Sequence, residues 1–501
     1  MLNVILCGCC MEYSPKKSMV IHMENVKKNL SLQTIFQILN TFIPLITSPY
    51  LSRVLAAEKL GIFSYTQSVV NYFTLFAMLG GINYGTRAIA ACKGDIKQRS
   101  ATFWSIYLLQ FTISLLALTS YLLYTYFYVK ENLLIAMIQG LYILVSLTDV
   151  TWLYFGIENF ETTVKINITV RVISVLSILL LVKSPEDLWI YTAIMPGSFL
   201  VSNIFLWLNL KKYIDFNELK NVVLRDVLKH IEPNLILFIP LLGMSVYHVM
   251  DKTMLGALST YEETGFYYNA DKVINIPMGI ITGIGTVMLP RVTVVVNSGD
   301  RKGSEYLFRT TIEIIVILSS AMTFGIASIS EKFVPLFFGN GFESCVFLIT
   351  VLSPVLIIKG LSYISRMQYL IPHYKEKIFI ESVFIGAIFN FIINLVLIPK
   401  IAALGAVFGT LFAELIACIW QYMRMGKYIK VGNVIFKSLV YIIFGGIMYA
   451  FVYNILKNIS NNLYAVIVGI IVGFIIYSLL CIIYWKLTKS PLMKFLIDTK
   501  Q

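Results

Sequence analysis

Arg171 and Glu414 each stand about halfway along an uninterrupted apolar stretch, Glu414 between Phe412-Ala413 and Leu415-Ile416. A charge held in hydrocarbon costs on the order of 2.5–3.5 kcal/mol, so one that persists there marks a functional site or a buried pair. Arg171 lies about eight residues into its stretch, roughly 12 Å at 1.5 Å per residue, too deep to snorkel to a surface. Asp149 lies in another stretch, one turn from Trp152, and Asp251-Lys252 and Asp271-Lys272 flank a short connection. Guanidinium and ammonium groups give charge-assisted hydrogen bonds to phosphate oxygens. A passage lined by more cations than anions therefore suits a phosphate-bearing ligand, with Glu414, Asp149, Asp251 and Asp271 as groups for a coupling proton or sodium ion. Glu313, Lys359 and Glu381 lie nearer the ends of their stretches and read equally as snorkelling or surface-paired groups.

The elements that hold these charges follow from composition. Hydrophobic residues fill 58% of 501 positions, charged residues 13%, and mean hydropathy is +0.78. Lipid must be the solvent for most of the chain. A helix crosses the hydrocarbon core with roughly 20 apolar residues. About fourteen such stretches are expected: 30–52, 60–83, 101–126, 132–156, 163–182, 188–210, 231–254, 272–293, 307–329, 340–362, 375–397, 402–424, 433–456 and 463–485. Runs such as Leu463 to Ile483 are continuously apolar rather than alternating, which favours helices over a barrel. Lys and Arg crowd alternate connections, among them Arg87, Lys211, Lys212, Arg301, Lys302, Lys427 and Lys430, and leave the opposite ones sparse. By the positive-inside rule both termini are expected in the cytoplasm of a plasma-membrane protein. The net charge of +13 is thus a matter of topology and does not point to nucleic acid.

No connection is long enough to fold into a catalytic domain, no phosphate-binding Gly-Lys-Ser/Thr loop occurs, and the histidines His22, His230, His248 and His373 lack zinc spacing. No cofactor is expected. Cys7, Cys9 and Cys10 near the start and the isolated Cys92, Cys345, Cys418 and Cys481 form no disulfide framework. Residues 1–22 have no signal-peptide pattern, and Met23-Glu24-Asn25 reads as a natural start preceded by an upstream extension.

An internal repeat is visible. Phe42-Ile43-Pro44-Leu45 recurs as Phe238-Ile239-Pro240-Leu241, and Glu58 to Tyr65 aligns with Glu262 to Asn269. Six spans separate the copies, so their topology is the same and the repeat axis runs along the membrane normal. The expectation is an all-α polytopic protein of two pseudo-symmetric six-helix lobes plus two C-terminal helices. Its parts are a tail at 1–29, an N-lobe at 30–210, a basic linker at 211–230, a C-lobe at 231–424, and helices 13 and 14 with the C-terminal tail at 425–501. Pro44, Pro240, Pro196, Pro277 and Pro354 are expected to bend their helices.

The segments Pro49 to Leu55, Gly61 to Tyr65, Gly80 to Arg87, Asp251 to Gly256 and Gly265 to Lys272 together resemble the Wzx-type polysaccharide flippases of the MOP superfamily, from about Leu30 to the end of the chain. The resemblance implies a MATE-like fold that carries undecaprenyl-diphosphate-linked oligosaccharide from the cytoplasmic to the outer leaflet. It also implies membrane lipids and the polysaccharide polymerase machinery as partners. Arg53 and Arg87 match the family motif, so the expected cationic cavity comprises Arg53, Arg87, Arg171, Lys252 and Lys272. The alternatives are a lipid II flippase or multidrug antiporter of the same superfamily, a membrane-embedded polymerase or ligase, and a scaffold that transports nothing.

Overall fold

The computed structural model describes residues 17–92, 94–429 and 432–489, with side chains from residue 43 onward except those at 240, 241, 244, 246–248 and 433. Residues 1–16 of the expected upstream extension, the side chains of Pro240 and His248, and the last twelve residues lie outside the described set.

Every regular element among the described residues is helical. Helix α1 (Lys17–Met78) is two helices joined at a kink at Ala56, between the first two expected spans. Then come α2 (Gly81–Ala90), α3 (Ile96–Tyr128), α4 (Leu133–Gln139), α5 (Leu141–Thr148), α6 (Thr151–Gly156), α7 (Phe160–Leu181), α8 (Leu188–Leu208) and the short α9 (Leu224–Leu228). The rest comprises α10 (Ile231–Leu258), α11 (Tyr261–Asn297), α12 (Arg301–Phe337), α13 (Ser344–Leu352), α14 (Val355–Ser365), α15 (Glu376–Ile401), α16 (Ala403–Met425), α17 (Gly432–Lys457) and α18 (Asn462–Thr488). Eleven helical stretches among the described residues are long and apolar enough to cross a membrane. The chain is a multi-pass membrane protein.

Helices start where a side chain can satisfy the first free N–H groups. Asp95 accepts from Lys97 and Gln98 ahead of α3, Thr260 from Glu263 ahead of α11, and Asp300 from Gly303 ahead of α12. The sharp entry to α2 uses Gly80 at φ 74, pressed against the Asn234 carbonyl of α10 where a Cβ has little room.

Two expected spans differ from single helices. The stretch 132–156 is α4, α5 and α6 in series, broken at Asp149-Val150, and 340–362 is α13 and α14, broken at Ser353-Pro354, with a π-turn at Arg366–Leu370. Proline explains the second break, since it has no N–H to donate. The first is repaired by Gln110 of α3, whose amide donates to the Ser146 carbonyl at 2.6 Å and the Asp149 carbonyl at 2.8 Å and whose oxygen accepts from the Trp152 indole at 3.0 Å.

The largest core lies where α1 crosses α11. Leu51, Leu55 and Phe63 pack there against Phe266, Tyr267 and Ile274, backed by α13. The crossing is tight because Gly61 and Gly265 sit in it: a Cβ on Gly61 would overlap the Tyr261 carbonyl oxygen, and one on Gly265 the Ala57 carbonyl oxygen. A second core joins α12 and α14 to α17 and α18 through Phe308, Ile312, Tyr441 and Tyr477. The opposite side of α18 leaves Ile467, Ile470, Ile471 and Phe474 exposed, a face suited to acyl chains.

Candidate substrate and ion site

Asp251 is buried near the end of α10 and is the centre of a polar cluster drawn from four helices. Its carboxylate accepts from the Tyr267 hydroxyl of α11 at 2.6 Å, the Thr410 hydroxyl of α16 at 2.6 Å, and the amides of Asn390 and Asn394 of α15 at 2.9 and 2.7 Å. A buried carboxylate is costly unless donors such as these satisfy its oxygens. Asn390 and Asn394 share a face one turn apart, and Gly409 makes room for them, since a Cβ there would overlap the Asn394 carbonyl oxygen. That oxygen has no hydrogen-bond partner. With its amides turned, the cluster offers a carboxylate, two carbonyls and a hydroxyl, a hard oxygen set suited to a small cation. No group of three His, Cys, Asp or Glu side chains that could hold a metal occurs among the described residues.

Cations surround this cluster. Lys252 pairs with Asp271 at 2.8 Å, and Lys359 of α14 pairs with Glu414 of α16 at 3.5 Å. The Lys272 ammonium lies 3.9 Å from the centre of the Tyr268 ring and 3.4 Å from the Ser48 hydroxyl of α1. Arg366, in the π-turn, lies between Tyr363 at 5.2 Å and Phe379 at 4.8 Å, and its Nε has no hydrogen-bond partner. A cavity of about 160 Å³ lies among Asp251, Lys252, Tyr267, Asp271, Asn275 and Lys359. A second, about 290 Å³, shares Asn275 and Lys359 with it and reaches Arg366, Glu414 and Gln421. Three bases (Lys252, Lys359 and Arg366) and three acids (Asp251, Asp271 and Glu414) face this joined space, and Lys272 stands beside it, sharing the Tyr268 ring with Lys252.

A third cavity, about 500 Å³, opens between α1, α5, α8 and α10, with Asn71, Tyr72, Tyr142, Asp149, Phe199 and Val249 in its wall. Arg171 stacks 4.6 Å over the Phe199 ring at its edge. Asp149 terminates α5 rather than standing mid-helix, and its carboxylate accepts from the Thr151 N–H at 2.8 Å.

Of the residues singled out from sequence, Lys252, Lys272, Asp251, Asp271 and Glu414 come together, and Arg171 and Asp149 flank the neighbouring cavity. Arg53 and Arg87 line neither. Arg53 is exposed and donates to the Pro49 carbonyl at 2.9 Å and the Leu336 carbonyl of α12 at 2.6 Å, and Arg87 is exposed on α2. Sequence reading overlooked Arg366 and set Lys359 aside as a near-end charge. It also passed over Asn390, Asn394 and Thr410, although two asparagines one turn apart in an apolar helix are themselves a signal. Glu313 and Glu381 are tied elsewhere, by the Tyr441 hydroxyl at 2.6 Å and by Arg424 at 3.4 Å.

Residues 26–295 match the family model described as polysaccharide biosynthesis protein. The chain belongs to that family. A "Putative O-antigen transporter" of Shigella dysenteriae is 27% identical over 410 residues, 79% of this chain and 99% of that one. Among solved structures, the lipid II flippase MurJ in an inward closed conformation superposes with a TM-score of 0.69 at 14% identity, covering 92% of this chain and 99% of MurJ. An inward-facing multidrug resistance MATE transporter of the MOP superfamily gives 0.55 at 12% identity, covering 77% and 98%. The fold is MurJ- and MATE-like, and this member of the family is a membrane transporter, not an enzyme.

Proposed function

We propose that this transporter is a flippase for a polyprenyl-diphosphate-linked oligosaccharide, moving it from the inner to the outer leaflet of the cytoplasmic membrane by alternating access of two lobes, 30–210 and 231–424. Both termini and the linker 211–230 lie in the cytoplasm in this reading, and 425–501 forms an appendage. The observation that carries it is the run of Lys252, Lys359 and Arg366 along one joined internal space, with Lys272 beside Lys252 against the Tyr268 ring. Two lysines already hold acids, so an arriving diphosphate exchanges partners rather than meeting bare charge, which keeps the empty site tolerable in low dielectric. Arg366 stands ready without an ion pair among the described residues. Arg171 is a further cation, at the edge of the third cavity.

Energy comes from the membrane. A potential negative inside is worth about 2.3 kcal/mol per charge per 100 mV, which drives a diphosphate outward without nucleotide. The Asp251 cluster is the seat of a coupling sodium ion or proton. Binding there turns the Asn390 and Asn394 amides and releases the Tyr267 hydroxyl, on the same helix as Lys272. The Shigella relative is named as a putative O-antigen transporter, a name in keeping with this substrate class.

The test is transport in proteoliposomes of a fluorescent polyprenyl-diphosphate oligosaccharide, scored by its accessibility to an external quencher. Lys272→Ala and Arg366→Ala each slow transport at least about tenfold, a loss of roughly 1.4 kcal/mol of phosphate interaction. Wild-type rates in both variants would sink the reading.

A further inference from the structure

A fourth cavity, about 240 Å³, lies apart from the charged space and has tyrosine walls. Tyr65 comes from α1, Tyr121 and Tyr124 from α3, and Tyr261 opens α11, while Glu131 and Asn132 close the rim. The ring centres of Tyr65 and Tyr261 are 5.8 Å apart at 47°, so the two faces diverge and leave a cleft. Tyr121 is fixed by its hydroxyl, which donates to the Ala136 carbonyl at 2.7 Å, and Tyr65 is held from behind by Gly256 of α10, where any Cβ would overlap its ring. These rings face inward. An interfacial aromatic belt is a different thing, and Tyr126 and Phe127, 75% and 65% exposed on the outside of α3, supply that.

We propose that this cavity binds the neutral sugar portion of the cargo at the outer face, the side to which the sparse positive charge of the α3–α4 connection assigns it. The lining fits that chemistry. A sugar ring presents C–H bonds on its faces and hydroxyls on its rim, and tyrosine answers both, with the negative face of its ring and its own hydroxyl. Lys130 and Glu131 cancel at the rim, so nothing there selects an anion. Position supports it too. Tyr261 and Lys272 lie eleven residues apart on α11, three turns within about 20°, hence on one face and roughly 16 Å apart. A diphosphate at Lys272 thus directs a short oligosaccharide along α11 toward the tyrosines. On α1, Tyr72 in the wall of the large cavity and Tyr65 are seven residues apart and share a face in the same way. Because α1 and α11 both contribute walls, the cleft keeps its shape only while their crossing is intact.

This inference rests on the flippase reading, and the experiment separates the two. The full-length protein in lipid nanodiscs is titrated with two probes: the repeat-unit oligosaccharide freed by mild acid from the polyprenyl carrier of the producing cells, and bare polyprenyl diphosphate. Saturation-transfer NMR detects the oligosaccharide on the wild type. Y124L/Y261L lowers its affinity roughly tenfold or more, while Y124F/Y261F, which keeps the rings and guards against simple misfolding, loses only the share of the two hydroxyls and binds more tightly than the leucine pair. Bare polyprenyl diphosphate binds all three proteins alike. Equal oligosaccharide binding by the Leu variant and the wild type, or none by the wild type, overturns the tyrosine site. Wild-type vesicles that transport no lipid-linked sugar overturn the flippase reading instead.

Discussion

Gly61 and Gly265 face one another across the crossing of α1 and α11, each pressed against the backbone opposite the other. They are also the residues that the internal repeat places in register, Gly61 in Glu58 to Tyr65 and Gly265 in Glu262 to Asn269. The repeat expected from the sequence thus coincides with a reciprocal contact, with Ala57 one turn before the first glycine and Tyr261 one turn before the second. Either glycine changed to Ala forces the helices apart. Gly61→Ala and Gly265→Ala are each expected to destabilise by about 1–3 kcal/mol, the range for overpacked sites, measured by denaturant unfolding in detergent. Wild-type stability in both would mean that the crossing relaxes freely.

Asp251 has four donors and no formal counter-ion among them. Asp251→Asn keeps its shape and removes its charge, so transport should lose its dependence on an imposed sodium or proton gradient while substrate binding persists. Asn394→Ala removes an oxygen ligand but leaves the carboxylate, and should raise the ion concentration for half-maximal transport by roughly tenfold or more. Transport that responds to gradients as the wild type does in both variants would leave the cluster a structural knot.

Arg53 and Arg171 separate two roles of arginine. Arg53 binds carbonyl groups at a helix end and Arg171 overlooks a cavity, so Arg171→Ala should stop transport with the protein still inserted. Arg171→Lys should retain part of it, and Arg53→Ala should chiefly lower thermal stability. Expression, melting in detergent and transport, measured together, distinguish these outcomes.

His230, just ahead of α10, joins α2 to α3: its Nδ1 is 2.6 Å from the Tyr84 hydroxyl and its Nε2 3.0 Å from the Ser105 hydroxyl. Burial, with Lys229 adding a little, pushes the imidazole down from 6.5 to about 4. The unfolded chain takes up a proton that the folded one refuses, so acid destabilises. The contribution is complete above about pH 6.5, declines as pH falls and is gone below about 4. His230→Gln should flatten this part of the stability profile, seen in melting temperatures between pH 4 and 7.

Much of this was written in apolar run length alone. The expected spans at 163–182, 188–210, 402–424 and 463–485 fall on α7, α8, α16 and α18 to within a few residues, because lipid demands length and continuity and the chain has little freedom to disguise them. The charges of the second half were legible for a similar reason, since Lys252, Asp271 and Glu414 are conspicuous among leucines. Neutral polar groups were not. Asn390, Asn394 and Thr410 carry no charge to betray them, and they gain meaning only from Asp251, more than a hundred residues away. The break at Asp149 was hidden because its remedy, Gln110, lies on another helix, and Arg366 because a π-turn leaves no mark in composition.

Beside Arg53, the Ser52 hydroxyl donates to the Phe338 carbonyl at 2.8 Å, so two adjacent residues of α1 fasten the final turn of α12. Any motion that parts these helix ends must first surrender a few hydrogen bonds, each with a net value near 1 kcal/mol. Such a seam is cheap to undo and quick to remake, like a row of press-studs rather than a weld.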